Sequence, residues 1–194
     1  MMIKKWQRSN KELVYKAHIM RHCQVNAHSL TSDKKGVFDI IECLDWVNVL
    51  ALTAQKEVIL VRQYRLGTDA VTLELPGGAV HRGEDPLIGA KRELEEETGG
   101  VAKAWTKLGH SDVNPAFMEN HCHFFLAQDV ELVKEQALDP QEEIEIVTVP
   151  LDDIPKMFKS GEISHSLNHA AFSFYWMSVC DGGLSQAKRT GLQP

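Results

Sequence analysis

At 194 residues and 43% hydrophobic composition, the chain is long enough to bury one core with a small annex. Its 21 basic and 27 acidic residues give a formal net charge of −6, which argues against a general nucleic-acid or membrane-surface binder, because both want a basic face. Four scattered cysteines (Cys23, Cys43, Cys122, Cys180) form no CxxC pair; their even count permits disulfides, but free thiols in a reducing cytosol are the expectation.

The basic start, MMIKKWQRSNKELVYK, lacks the apolar core of a signal peptide. No run approaches the ~20 apolar residues of a membrane span, so a soluble cytoplasmic protein is expected. Residues 12–30 show strand-type alternation broken by polar residues, TSDKKG is a turn, and VFDIIECL is a second strand candidate. Residues 1–45 thus read as a small N-terminal antiparallel β-sheet. WVNVLALT and VILVRQYR form a hairpin of buried strands, and TLELP is a short strand entering the Gly77-Gly78 turn. A helix follows over about residues 85–98, with Asp85 as N-cap and Pro86 at its first position. WTKLGHSDV, HCHFFLAQDV and EEIEIVTVPL are strands, whereas DDIPKMFKSGEI and LNHAAFSFYWMSV read as helices. Strands interleaved with three helices predict an α/β layered domain with a mixed sheet over residues 46–180, and residues 181–194 read as a loose tail.

The end of the first helix, KRELEEETGG, poses a problem. Glu93, Glu96 and Glu97 fall on one side at spacings of three and four, where like charges repel by roughly 0.2–0.5 kcal/mol per pair. They also sit at the negative end of the helix dipole. A solvated acidic face explains most glutamate-rich helices, but it leaves both penalties standing. A hard divalent cation removes them, since carboxylate oxygens suit Mg2+ and Mn2+. Leu87, Ala90 and Leu94 form a neighbouring apolar stripe that anchors the helix, and Arg92, four before Glu96, is in reach of a tethering ion pair.

Upstream, ELPGGAVHRGE places two glycines where the backbone turns tightly or approaches a ligand. From Gly78 the order is five residues, Glu84, seven residues, Arg92-Glu93-Leu94, one residue, Glu96-Glu97, one residue and Gly99. This pattern resembles the Nudix box of the Nudix hydrolases. Every polar and glycine position matches across residues 78–100, and the one departure is Gly100 where a bulky apolar residue is usual. The resemblance implies an α/β/α sandwich with a mixed β-sheet, and hydrolysis of a nucleoside diphosphate linked to another group.

By that resemblance Glu93 and Glu97 are the main metal ligands, Glu96 shares or bridges, and the Gly77 carbonyl adds a ligand. Arg92, counted with the catalytic set, orients helix and loop together with Glu84, while Glu95 faces away into solvent. In the branch resembling ADP-ribose pyrophosphatases, a glutamate on a late loop takes the proton of the attacking water. LDPQEEIEIV offers Glu142, two before Ile144, with Glu143 as the fallback. VRQYRLG resembles the branch's segment before the box and assigns Arg65 to the diphosphate, which its forked donors suit. Pro115, fifteen residues after Gly100, is a further mark of that branch. The chain reads Asn114-Pro115-Ala116 where Ser-Pro-Gly is usual, which points to several nucleotide sugars.

Phe117, Met118 and Glu119 are candidates for the sugar side, with core packing the competing role for Phe117. Trp46 either stacks a purine or is a buried structural residue; Glu42 and Ala79 complete the substrate-side candidates. His121, Cys122 and His123 do not make a zinc site, because Cys122 points away from the histidines in a strand and no fourth ligand stands at usual spacing. The resemblance also makes the N-terminal sheet a candidate dimerisation element. The resulting expectation is a Mg2+-dependent (or Mn2+-dependent) diphosphatase of nucleoside diphosphate sugars such as ADP-ribose, acting as a homodimer. Two alternatives stay open: a Nudix hydrolase of dinucleotides, coenzyme A or deoxynucleoside triphosphates, and a non-catalytic nucleotide-binding regulatory domain.

Overall fold

The computed structural model describes residues 2–180. The chain forms two compact units. The first holds the chain up to Asp45 together with Asp112–His121, and the second holds Trp46–Ser111 together with the chain from Cys122.

In the first unit, β1 (Gln7–Arg8), β2 (Glu12–Lys16) and β4 (Lys35–Glu42) all pair antiparallel with β3 (Arg21–His28). The single alternating stretch read over residues 12–30 is therefore two strands. The Ala17 N–H donates to the Met20 carbonyl at 2.9 Å and turns the chain back. That turn contains neither Gly nor Pro, so alternation alone does not reveal it. Cys23 and Val25 are buried, while Leu13, Val14, Tyr15, Val37 and Phe38 stay exposed. Segment 112–121 runs alongside β4: the Ile41 N–H donates to the Phe117 carbonyl at 2.7 Å, and the Glu119 N–H to the Ile41 carbonyl at 3.3 Å.

The second unit is built on a mixed sheet. Its strands are β5 (Trp46–Leu52), β6 (Glu57–Arg65), β7 (Ala70–Glu74), β9 (Ala104–Asp112), β10 (His121–Gln128) and β12 (Ile144–Pro150). Their order is β12–β6–β5–β10–β9, with β7 on β6. β5 and β10 run parallel, whereas β6 pairs antiparallel with β5, β7 and β12. The near-continuous apolar runs of β5 and β10 follow from burial on both faces. One face carries Val47, Val49, Ala51, Phe125 and Ala127 against Ala90 and Leu94 of α1 (Pro86–Thr98). The other carries Phe124, whose ring lies 5.5 Å from Phe174 of α3 (Ser166–Cys180). This is the expected α/β/α layering.

A short α2 (Ile154–Ser160) follows a 3-10 turn at Leu151–Asp153 and stops at Gly161, whose φ of 81° terminates the helix. So the helix read over DDIPKMFKSGEI is shorter than its sequence pattern. A two-residue ladder, β8 (Gly100–Val101) with β11 (Glu131–Leu132), was not foreseen, because strands that short carry no periodicity. β12 starts at Ile144, leaving Glu142 and Glu143 in the preceding loop. The tail read over residues 181–194 lies outside the described residues.

Burial on α1 separates two residues of similar size. Leu94 is 0% exposed and Ile88 is 54% exposed. Leu94→Ala should cost about 2–5 kcal/mol through its lost transfer energy and cavity, whereas Ile88→Ala should stay near about 0.5 kcal/mol. Urea unfolding of both variants in chelator checks the contrast.

Candidate active site

The site is assembled on α1 and the loop before it. Asp85 caps the helix, its Oδ1 accepting from the Leu87 N–H at 2.8 Å, and Pro86 stands in the first turn. Gly99, at φ 66°, closes the other end. The loop lies along β5: the Val47 N–H donates to the Gly78 carbonyl at 2.9 Å and the Val49 N–H to the Pro76 carbonyl at 2.8 Å. A Cβ on Gly77 would collide with the Val47 carbonyl, and one on Gly78 would stand 2.6 Å from the Glu93 carboxylate. Both glycines are there for close approach, and neither has a positive φ.

Arg92 is the hub. It donates to Glu84 at 3.1 and 3.2 Å, Glu93 at 2.8 Å, Glu96 at 2.9 Å and the Ala79 carbonyl at 3.0 Å. The i, i+4 pair with Glu96 is the predicted one. The Arg92 bonds hold Glu84 below the usual carboxylate range. They do not do so for Glu93, which burial pushes up despite Arg92, with the Glu96 and Glu142 charges adding to the rise. Glu97 is only 4% exposed. Burial, and then the Glu93 and Glu142 charges, push it up to about 8, against the Gly77 N–H that donates to its Oε2 at 2.8 Å. Glu95 stands apart with Lys134 at 2.6 Å.

Arg65 and Glu74 form the second part. Arg65 donates through Nε and Nη2 to the two Glu74 oxygens, both at 2.9 Å, and the Thr72 hydroxyl donates to Glu74 Oε1 at 2.6 Å. Burial opposes the charge on Glu74, yet these bonds outweigh it and hold the group below its ordinary value. Arg65 is drawn up chiefly by Glu74, with Glu97 and Glu142 also acting on it. Thus Glu142 lies within electrostatic reach of Glu93, Glu97 and Arg65, whereas Glu143 is not among the principal charges acting on any of them. Sequence reading missed Glu74. Its only signal was alternation in TLELP, which puts a glutamate among apolar neighbours.

The remaining candidates divide between the units. Trp46 is half-buried and bridges to Ala79 in the second unit. In the first unit, Glu42 and Glu119 both pair with Lys11, and Phe117 lines an open cavity of about 620 Å³ with Tyr15, His22 and Phe38. Pro115 and Met118 belong to that unit as well.

No three His, Cys, Asp or Glu side chains among the described residues converge closely enough to hold an ion as oriented. Arg92 occupies Glu93 and Glu96. The donor chemistry nevertheless fits a hard divalent cation, since it is all oxygen and leaves the half-buried Glu93 and the buried Glu97 without full compensation.

Comparison with known proteins places the chain in a family. The NUDIX domain matches residues 45–167. The chain is 36% identical over 135 residues to the ADP-ribose pyrophosphatase of Bacillus subtilis, covering 69% of this chain and 73% of that protein. It is 28% identical over 156 residues to the methanol dehydrogenase activator of Bacillus methanolicus, covering 80% and 84%. A GDP-mannose pyrophosphatase of Salmonella typhimurium is 30% identical over 119 residues, 57% of this chain and 62% of that protein. The fold is shared with a crystal structure of an ADP compounds hydrolase, at a TM-score of 0.81 and 21% identity over 94% of this chain and 98% of that one. With a domain match spanning more than half its length and an unbroken set of box carboxylates on α1, the chain belongs to the Nudix hydrolase family.

Proposed function

We propose that the chain hydrolyses the diphosphate bond of nucleoside diphosphate sugars, ADP-ribose among them, in a Mg2+-dependent reaction giving a nucleoside monophosphate and a sugar phosphate. The observation that carries this reading is that Glu142 acts electrostatically on Glu93, Glu97 and Arg65 alike, while Glu97 is coupled to both Glu93 and Arg65. Similarity to proteins named ADP-ribose pyrophosphatase and GDP-mannose pyrophosphatase supports it. Asn114-Pro115-Ala116 in place of Ser-Pro-Gly supports tolerance of several sugars. A homodimer belongs to the same proposal, supported by the exposed Leu13, Val14, Tyr15, Val37 and Phe38.

Glu93, Glu96, Glu97 and the Gly77 carbonyl would hold Mg2+ or Mn2+. When bound, the ion neutralises diphosphate charge and makes a water more acidic. Arg65 binds and orients a phosphate oxygen. Glu142 accepts the proton of the attacking water. Arg92 keeps Glu84, Glu93 and Glu96 together through both events.

Glu97→Gln should lose most of the turnover and also change stability. The folded group titrates at about 8 against an ordinary 4.5. Between those values the folded state keeps a proton that the unfolded state releases, so stability is full below the lower value and lost as pH rises through the upper one. In chelator, melting temperature should fall from pH 5 to about 8 in the wild type, and Glu97→Gln should flatten the fall. Mg2+ should shrink it too, because an ion favours the ionised carboxylate. Melts across pH with and without Mg2+ test this, and a Glu97→Gln slope equal to the wild type would sink it.

Glu142→Gln should lower kcat by about 10²–10⁴-fold with KM little changed, while Glu143→Gln should stay close to wild type. The reverse pattern moves the role to Glu143.

For substrate, kcat/KM should be higher for ADP-ribose, ADP-glucose and GDP-mannose than for a deoxynucleoside triphosphate or a diadenosine polyphosphate. Hydrolysis in 18O-labelled water locates the attacked phosphorus. A triphosphate or dinucleotide clearly ahead of every nucleotide sugar overturns the proposal.

A further inference from the structure

Glu74 is 2% exposed in a strand whose one other buried residue is the apolar Leu73. It is held from three sides. Thr72 donates to Oε1 at 2.6 Å, His165 Nδ1 faces Oε2 at 3.4 Å, and Arg65 spans both oxygens. The backbone around it is fixed as well. Buried Asn168, in the first turn of α3, donates to the Leu73 carbonyl and accepts from the Leu75 N–H, each at 3.4 Å. An isolated buried carboxylate is costly, so such a site persists only when its partners are well placed.

What this network holds is Arg65, whose side chain is 46% exposed and lies in the field of Glu97 and Glu142. The Nε–Nη2 edge is committed to Glu74, and Nη1 has no acceptor among the described residues. We propose that Glu74 is a positioning residue for the substrate diphosphate: by taking the Nε–Nη2 edge of Arg65 it presents Nη1 in a fixed direction to a phosphate oxygen. This rests on the reading above of Arg65 as the diphosphate contact. A lysine cannot serve a buried carboxylate and a phosphate with one fixed plane, so the arrangement requires arginine. Because Glu74 touches no reacting atom, its loss weakens substrate binding and leaves the chemical step in place.

The test is a double-mutant cycle of Glu74→Gln and Arg65→Ala, read with ADP-ribose and Mg2+. Glu74→Gln should raise KM about tenfold with kcat within about threefold of wild type. In the Arg65→Ala background it should change KM by less than about twofold, because the residue it positions is gone. Additive losses, a fall in kcat at unchanged KM, or an Arg65→Ala variant with wild-type KM would each overturn the proposal. Should Glu74→Gln lose its far-UV circular dichroism spectrum, Thr72→Val carries the cycle instead, since it removes one donor and leaves the carboxylate. Its expected KM rise is about threefold, and no rise, or one that survives in Arg65→Ala, overturns the proposal. Calorimetric binding of ADP to the Mg2+-loaded protein repeats the cycle without turnover. Coupling seen there without cleavage of ADP-ribose supports the role of Glu74 and overturns the substrate reading alone.

Discussion

Arg92 donates to three carboxylates and the Ala79 carbonyl, and the local structure depends on that one guanidinium. Through Glu84 and Ala79 it fastens the loop at residues 77–84 to α1; through Glu93 and Glu96 it fastens the acidic face of the same helix. One positive charge serves three negative ones, so neutralisation is incomplete. The shortfall lies at Glu93 and Glu97, where burial removes the compensation that water would give. An arginine suits this task because its planar fork distributes several directed donors, whereas an ammonium would act as a point charge.

Placing the acids beside the apolar stripe of the same helix makes the arrangement rigid. Leu94 and Ala90 are fully buried against β5 and β10, so the backbone that carries Glu93 and Glu97 is fixed against the sheet. The glycines complete the constraint. Any side chain at Gly78 would enter the space of the Glu93 carboxylate. A core that fixes the helix and a loop that has no bulk together crowd the carboxylates into an arrangement that a cation would stabilise. Energy that folding loses there through crowded charge would be recovered if a cation bound.

Much of this was legible in the sequence. The spacing of Glu93, Glu96 and Glu97, the Asp85-Pro86 start and the Gly99 stop all survive in the structure, because each is a local rule on one helix. Layers and mixed sheet were legible from apolar runs long enough to show their period. The turn between β2 and β3 was not, since Ala-His-Ile-Met carries no turn residue. Glu74 was illegible for a different reason. The β6–β7 register sets Arg65 opposite Ala70, and Thr72 and Glu74 follow on the same face. Arg65 therefore reaches Glu74 across two strands, a contact that depends on register and that neither strand states alone. His165 and Asn168 join it only because α3 returns to β7 nearly a hundred residues later in the chain.

The unfavourable position of these acids at the helix C-terminus also has a structural answer beyond the cation. The last carbonyls of α1 do not face open solvent. Gln136 Nε2 donates to the Glu97 carbonyl at 2.6 Å, the Ala137 N–H to the Glu96 carbonyl at 2.8 Å, and the Val133 and Lys134 N–H groups to the Gly99 carbonyl, both at 3.1 Å. Donors from one segment thus offset the negative end of the dipole where the carboxylates aggravate it. The same Gln136 amide also donates to the Ile144 carbonyl at 3.3 Å, at the start of β12 and two residues past the proposed base. One side chain therefore ties the end of α1 to the root of the loop that carries Glu142. The spacing between the α1 carboxylates and the loop that carries Glu142 is thus held by hydrogen bonds to backbone carbonyls, which do not depend on the charge of the glutamates. Such a link lets the acidic residues change protonation or gain an ion while the frame between them stays fixed.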